Sequence, residues 1–339
     1  MTNLEHVCLI GAGGVGTIAA YVLENSRRAR VTAVLRSNYD LVRDQGFDID
    51  SVDHGKVRGW KPHNVGIPFR EPGTDLASHR KVIPSISSAA TTALQGQGYD
   101  FIVITTKALP DLIASLIPDL KPLVTPGKTG LVLIQNGLDI ESPLAAAFPD
   151  TPILSGVSMI GSRLTSPCTV FHEDPDLLKL GPYFHHVKED NDAAVNGNDP
   201  NISHPPLLPR QTQLDAARRF VDLYNAGLAA AHLKTGAECF LVDDVVAARW
   251  RKLLWNASFN TLCTLLRISV GELLSSPGRT TLLEPAMREI AAIATAAGFR
   301  DTVPEHVVQS TLQDTSPTSP FRPSITEYPP PSWVKFTSY

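Results

Sequence analysis

A short continuous apolar run, Val7-Cys8-Leu9-Ile10, is followed at once by glycines and then by a helical pattern over 17–25. Continuous apolar runs of this length suit strands of a parallel sheet that is covered on both faces. The spacing predicts strands over 6–10, 31–35, 101–105 and 131–134, with a helix over 110–120 between the last two. Strands alternating with helices predict a doubly wound α/β sheet. Runs at 152–156 and 169–180 are expected to close the edge of this first domain. From 211 onward the period becomes helical. Leu214, Phe220, Val221, Tyr224 and Leu228 share one face, 245–266 forms a long second pattern, and 282–297 a third that Gly298 closes as a C-cap.

The first apolar run leads directly into Gly11-Ala12-Gly13-Gly14-Val15-Gly16, a G-x-G-x-x-G between a predicted strand and a predicted helix. In that context each glycine has a physical reason. Gly11 permits a tight turn, Gly13 lets the backbone approach a pyrophosphate, and Gly16 lets the helix pack on the strand. The pyrophosphate would rest on free N–H groups at the positive end of the helix. Gly11, Ala12, Gly13, Gly14, Val15 and Gly16 are therefore the expected dinucleotide cradle. The fold class expected is α/β: an N-terminal Rossmann-type doubly wound parallel sheet followed by an all-helical C-terminal domain. The expected boundaries are 1–183 for the dinucleotide-binding domain and 184–210 for an insertion rich in Asn, Asp, Pro and His. The helical substrate and catalytic domain would span 211–339, with an irregular Pro- and Ser-rich tail from about 316.

The end of the second strand selects the cofactor. Enzymes that take NAD usually place Asp or Glu there to hold the ribose 2′-hydroxyl. This chain has Val34-Leu35-Arg36-Ser37-Asn38. A carboxylate would repel a 2′-phosphate, whereas Arg36 can pair with it, which favours NADP (NADPH). An ordinary surface arginine at a strand end is the other reading of Arg36.

Two further strands end in polar residues: 101–105 runs into Lys107, and 131–134 into Gln135-Asn136-Gly137. Ligands of open parallel sheets bind beyond the carboxyl ends of the strands, where the glycine loop also lies. Lys107 and Asn136 are therefore expected to face the nicotinamide end of the cleft. A solvated lysine and a plain Asn-Gly turn are the alternatives. In the helical part, Lys252, Asn256 and Asn260 recur every four residues among Leu253, Leu254, Trp255, Ala257, Phe259 and Leu262. They stack along one face. Asparagine is a poor helix former, so its repeated use argues for a polar cleft over a solvated stripe. Reduction of a ketone by hydride leaves an alkoxide that needs a proton donor, and a partly dry lysine can serve. The Lys252 ammonium is expected to look across a gap between two lobes toward the carboxyl edge of the N-terminal sheet.

Composition narrows the partners. The chain has 339 residues, enough for two cores, and a formal net charge of −4. No basic face suggests a nucleic-acid partner. No apolar run reaches about 18 residues, so no membrane span is expected. Cys8, Cys168, Cys239 and Cys263 are scattered without a Cys-x-x-Cys pair, so neither metal binding nor a disulfide framework is expected, and a cytoplasmic location fits. A homodimer stays open.

Taken together, Gly11 to Gly16, Arg36, Thr106-Lys107, Gln135-Asn136-Gly137, and Lys252-Leu253-Leu254-Trp255-Asn256 with Asn260 resemble the ketopantoate reductase (2-dehydropantoate 2-reductase) family, in order and spacing. The resemblance covers about 5–183 and 211–324. It implies NADPH-dependent reduction of 2-dehydropantoate to (R)-pantoate, a step toward pantothenate and coenzyme A. It implies Lys252 as general acid, with Asn256 and Asn260 binding the small 2-keto acid substrate. Lys107 and Asn136 would order the nicotinamide ribose and the substrate, and Ser324 would hold the substrate carboxylate. In the family that serine opens a helix bearing a further Glu. Here Ser324-Ile325-Thr326-Glu327 is followed by Pro329, Pro330 and Pro331, which no helix interior tolerates, so a shortened C-terminal domain is expected. The same chemistry would also serve another 2-keto acid, and the shortened domain leaves an inactive NADP-binding paralogue as a third reading.

Overall fold

A computed structural model of the chain describes residues 4–35, 37–66, 98–184, 208–231, 233 and 235–323. It divides into two units, Met1–Val245 and Val246–Tyr339.

In the first unit the apolar run forms β1 (Glu5–Ile10), and the glycine loop turns it into helix α1 (Gly14–Asn25). Strand β2 (Ala29–Val34) and helix α2 (Tyr39–Gln45) follow. A hairpin of β3 (Phe47–Ser51) and β4 (Gly55–Trp60) then leads to β5 (Asn64–Gly66). Next come β6 (Phe101–Ile104), α3 (Pro110–Leu120), β7 (Gly130–Ile134) and α4 (Ser142–Ala147). Four strands succeed them: β8 (Ile153–Ser158), β9 (Gly161–Ser166), β10 (Thr169–Asp174) and β11 (Leu177–Pro182). Helix α5 (Arg210–Ala229) and β12 (Glu238–Leu241) complete the unit.

The main sheet has the order β12-β11-β8-β7-β6-β1-β2-β5. From β5 to β8 every pairing is parallel, and β11 runs antiparallel to β8. Strand order reverses direction at β1, between β2 and β6, the switch point beside which such sheets bind ligands. Period-2 alternation divides the strand residues between two cores. Val7, Leu9, Val31, Val103 and Val132 pack under α1 and α5, whereas Cys8, Ile10, Ile102, Ile104 and Leu133 pack under α3 and α4.

Two placements differ from the sequence reading. Of the two runs expected to close the sheet edge, the first forms β8 and the second contributes β11, and both join the main sheet, whose edge is β12. Strand β10 pairs with β3 in a second sheet of order β4-β3-β10-β9. Helix α5, assigned by its period to the helical domain, lies in the first unit. It packs on α1 so closely that a Cβ on Gly227 would sit 1.9 Å from the Val22 carbonyl oxygen. An amphipathic period fixes which face is buried and says nothing of what buries it. Most of the insertion read at 184–210 lies outside the described residues.

The second unit is helical. It contains α6 (Val245–Trp255), a π-helical turn (Asn256–Asn260) and α7 (Thr261–Leu266), followed by α8 (Val270–Leu274). A second π-helical turn (Arg279–Leu283) leads into α9 (Glu284–Ala296), and α10 (Glu305–Asp314) comes last. Gly298, with φ +92°, terminates α9 as expected. From Ser316 to Pro323 the chain is irregular but tied down. Phe321 and Ser319 carbonyls accept from the Val270 and Gly271 N–H groups, and Arg322 pairs with Glu272 at 3.0 Å. Among the described residues no helix is long and apolar enough to cross a membrane.

Candidate active site

The glycine loop shows why Gly11 and Gly16 exclude side chains. Gly11 has φ +100°, a conformation that strains any other residue. A Cβ on Gly16 would lie 2.0 Å from the Gly11 carbonyl oxygen, so only glycine lets α1 start this close to β1. A Cβ on Gly13 would meet nothing within 4 Å. The space beside Gly13 is therefore open, and the first turn of the 12-residue helix α1 holds no acidic side chain. Its first N–H groups have no intrahelical acceptor, so the loop fits the pyrophosphate of a dinucleotide.

Sequence reasoning gave no role to two residues that shape this edge. The Thr105 hydroxyl, just beyond β6, donates to the Gly11 carbonyl and pins the turn. The Gln135 side chain is buried at the end of β7, and its Nε2 donates to the Thr106 carbonyl at 2.7 Å. Both positions follow an apolar run, which is the signal that could have singled them out. Lys107 and Asn136 are exposed just beyond the carboxyl ends of β6 and β7. Gly137 takes φ +128° and lets the chain turn away after Asn136. Arg36 lies outside the described residues. Nearby Asn38 is occupied, donating from Nδ2 to the Pro167 carbonyl at 3.0 Å.

In the second unit the spacing of four puts two amides in contact: Asn260 Nδ2 donates to Asn256 Oδ1 at 3.0 Å. The two residues bound a π-helical turn, a rare widening that is frequent at functional sites. Widening loosens the carbonyl ladder, and hydroxyls take up the slack. Ser258 donates to the Leu254 carbonyl and Thr264 to the Asn260 carbonyl. Trp255 stacks on Phe259 with ring centroids 4.1 Å apart. The other amide atom, Asn260 Oδ1, is buried and accepts no hydrogen bond. A buried acceptor left so is costly, and a ligand hydroxyl would satisfy it.

Lys252 is half-buried in the last turn of α6. Burial, and after it the buried Arg249 guanidinium one turn earlier, together lower its pKa to about 8. An amine so poised can release a proton near neutral pH. Ser324 lies outside the described residues. Among those described, no group of three or more His, Cys, Asp or Glu is arranged to hold a metal ion.

The comparisons agree with this architecture. Residues 7–184 match the family profile "Ketopantoate reductase PanE/ApbA", and residues 244–327 match its C-terminal counterpart. An uncharacterized protein of Saccharomyces cerevisiae is 30% identical over 316 residues, covering 87% of this chain and 75% of its own. The crystal structure of 2-dehydropantoate 2-reductase from Geobacter metallireducens superposes with TM-score 0.69 at 23% identity, covering 95% of this chain and 86% of that one. A ternary structure of D-mandelate dehydrogenase with NADH and anilino(oxo)acetate reaches TM-score 0.66 at 16% identity, covering 95% and 84%. With the profile spanning more than half of its length, the chain belongs to the ketopantoate reductase family.

Proposed function

We propose that this protein reduces a small 2-keto acid with NADPH, and that 2-dehydropantoate, giving (R)-pantoate for pantothenate synthesis, is its substrate. The observation that carries the reading is the π-helical turn. It sets two touching amides, one with an unsatisfied buried oxygen, one helical turn after a lysine whose pKa is lowered to about 8. The family's relatives named 2-dehydropantoate 2-reductase support the choice of substrate.

When bound at the glycine loop, NADPH would supply the hydride that reduces the ketone. Gly11 to Gly16 would seat its pyrophosphate, and Arg36 would pair with the 2′-phosphate. Lys107 and Asn136 orient the nicotinamide ribose and the substrate. Asn256 and Asn260 hold the substrate by hydrogen bonds that add no charge. Ser324 binds its carboxylate. The Lys252 ammonium gives its proton to the oxygen that becomes the new hydroxyl, and regains one from water. The test is NADPH oxidation followed by absorbance with a series of 2-keto acids. Turnover highest with 2-dehydropantoate supports the reading. Turnover confined to another 2-keto acid removes the substrate, and binding without turnover on any of them removes the reductase.

A further inference from the structure

The segment after β7 that carries Asn136 is held in an uncommon path. Gly137 has φ +128° and Asp139, which is not a glycine, has φ +56°. Such conformations persist where surrounding contacts enforce them. Three ties do so here. Gln135 fixes the near end on the Thr106 carbonyl. Ser142 donates to Asp139 and meets the Tyr183 hydroxyl at 2.8 Å. At the far end Glu141, only 1% exposed, accepts a hydrogen bond from Ser155, a fully buried residue of the neighbouring strand β8.

The third tie is the unusual one. Burying a carboxylate is expensive, and apolar neighbours at Ile140 and Leu144 already anchor this stretch to the core. Nor does Glu141 cap the helix it precedes, since its side chain makes no capping hydrogen bond. A buried acid that packing does not require, at the base of a loop whose other end presents Asn136, suggests a directional constraint. We infer that Glu141, through Ser155, is a positioning residue that holds Asn136 where it contacts the cofactor. The inference rests on the role given to Asn136 above.

NADPH affinity, read from nicotinamide fluorescence, tests it without knowledge of the substrate. Ser155→Ala and Glu141→Ala should each weaken NADPH by about tenfold, equivalent to about 1.4 kcal/mol. Glu141→Gln, which keeps an acceptor for Ser155, should recover most of the loss. In an Asn136→Ala background the same changes should weaken NADPH less than about twofold, because the residue they position is gone. Ser155→Ala removes few atoms and keeps the test usable should Glu141→Ala not fold. Equal losses with and without Asn136 would overturn the inference alone. Full affinity in Asn136→Ala itself would overturn the role of Asn136 and the inference with it.

Discussion

Asn260 donates from Nδ2 to Asn256 Oδ1 at 3.0 Å across a π-helical turn, while its own Oδ1 is buried without a donor. The pair thus presents one committed and one uncommitted acceptor. Asn260→Leu fills the site without the acceptor and should raise the KM for the 2-keto acid by about tenfold or more, a typical effect of losing one hydrogen bond to a ligand. NADPH affinity should stay unchanged. Steady-state kinetics at saturating NADPH checks this.

The glycine loop separates folding from binding. Gly16→Ala drives a methyl into the Gly11 carbonyl and the Thr105 hydroxyl, so it should lower the melting temperature. Gly13→Ala meets open space and should leave melting unchanged. The same methyl occupies the approach to the pyrophosphate, so NADPH affinity should fall by about tenfold or more. Calorimetry and fluorescence titration on both variants would show the split.

Arg36 sets the cofactor choice in this account. Arg36→Glu should lower the preference for NADPH over NADH by about a hundredfold, since the pairing with the 2′-phosphate is lost and repulsion replaces it. Comparison of kcat/KM with the two cofactors is the check. An unchanged ratio would make Arg36 an ordinary surface residue.

A buried polar network of Asp53, Asp176 and Tyr224 gives a pH signature. Asp176 is 2% exposed, its carboxylate accepts from the Tyr224 hydroxyl at 2.6 Å, and its N–H donates to Asp53. Burial raises its pKa from 3.8 to about 6. Below the unfolded value the acid is protonated in both states. As pH rises from about 4 to about 6 the folded state loses up to about 3 kcal/mol relative to the unfolded chain, and the loss levels above that. His54 acts in the opposite sense: burial lowers its pKa to about 4, so stability is lost as pH falls from 6.5 toward 4. Asp176→Asn keeps the Tyr224 hydrogen bond and removes only the first effect. The melting temperature of the variant minus that of the wild type should therefore climb between pH 4 and 7 and then level. A flat difference would contradict it.

Much of this was readable from local pattern. The glycine loop, the strand over 101–104 and the helix Pro110–Leu120 each declare themselves within a few residues, by turn chemistry and by period. What escaped depends on partners far away in the chain. The second sheet joins β3 to β10, and the hydrogen bond between Ser51 and His172 spans 121 residues. Neither strand carries a mark of the other. Glu141 reads as an ordinary loop acid until Ser155 is placed beside it. The spacing of Lys252, Asn256 and Asn260 was plain, yet the π-helical turn was not, because a period of four fits both kinds of helix.

The reductase mechanism stands or falls on the proton of Lys252. With 2-dehydropantoate and saturating NADPH, kcat of the wild type should hold steady at lower pH and fall as pH rises past about 8, where the ammonium is lost. In Lys252→Ala, kcat should drop by at least about a hundredfold and that fall should disappear, with NADPH bound as tightly as before. A variant that retains full kcat, or retains the fall near pH 8, would contradict the assignment of Lys252 as the acid.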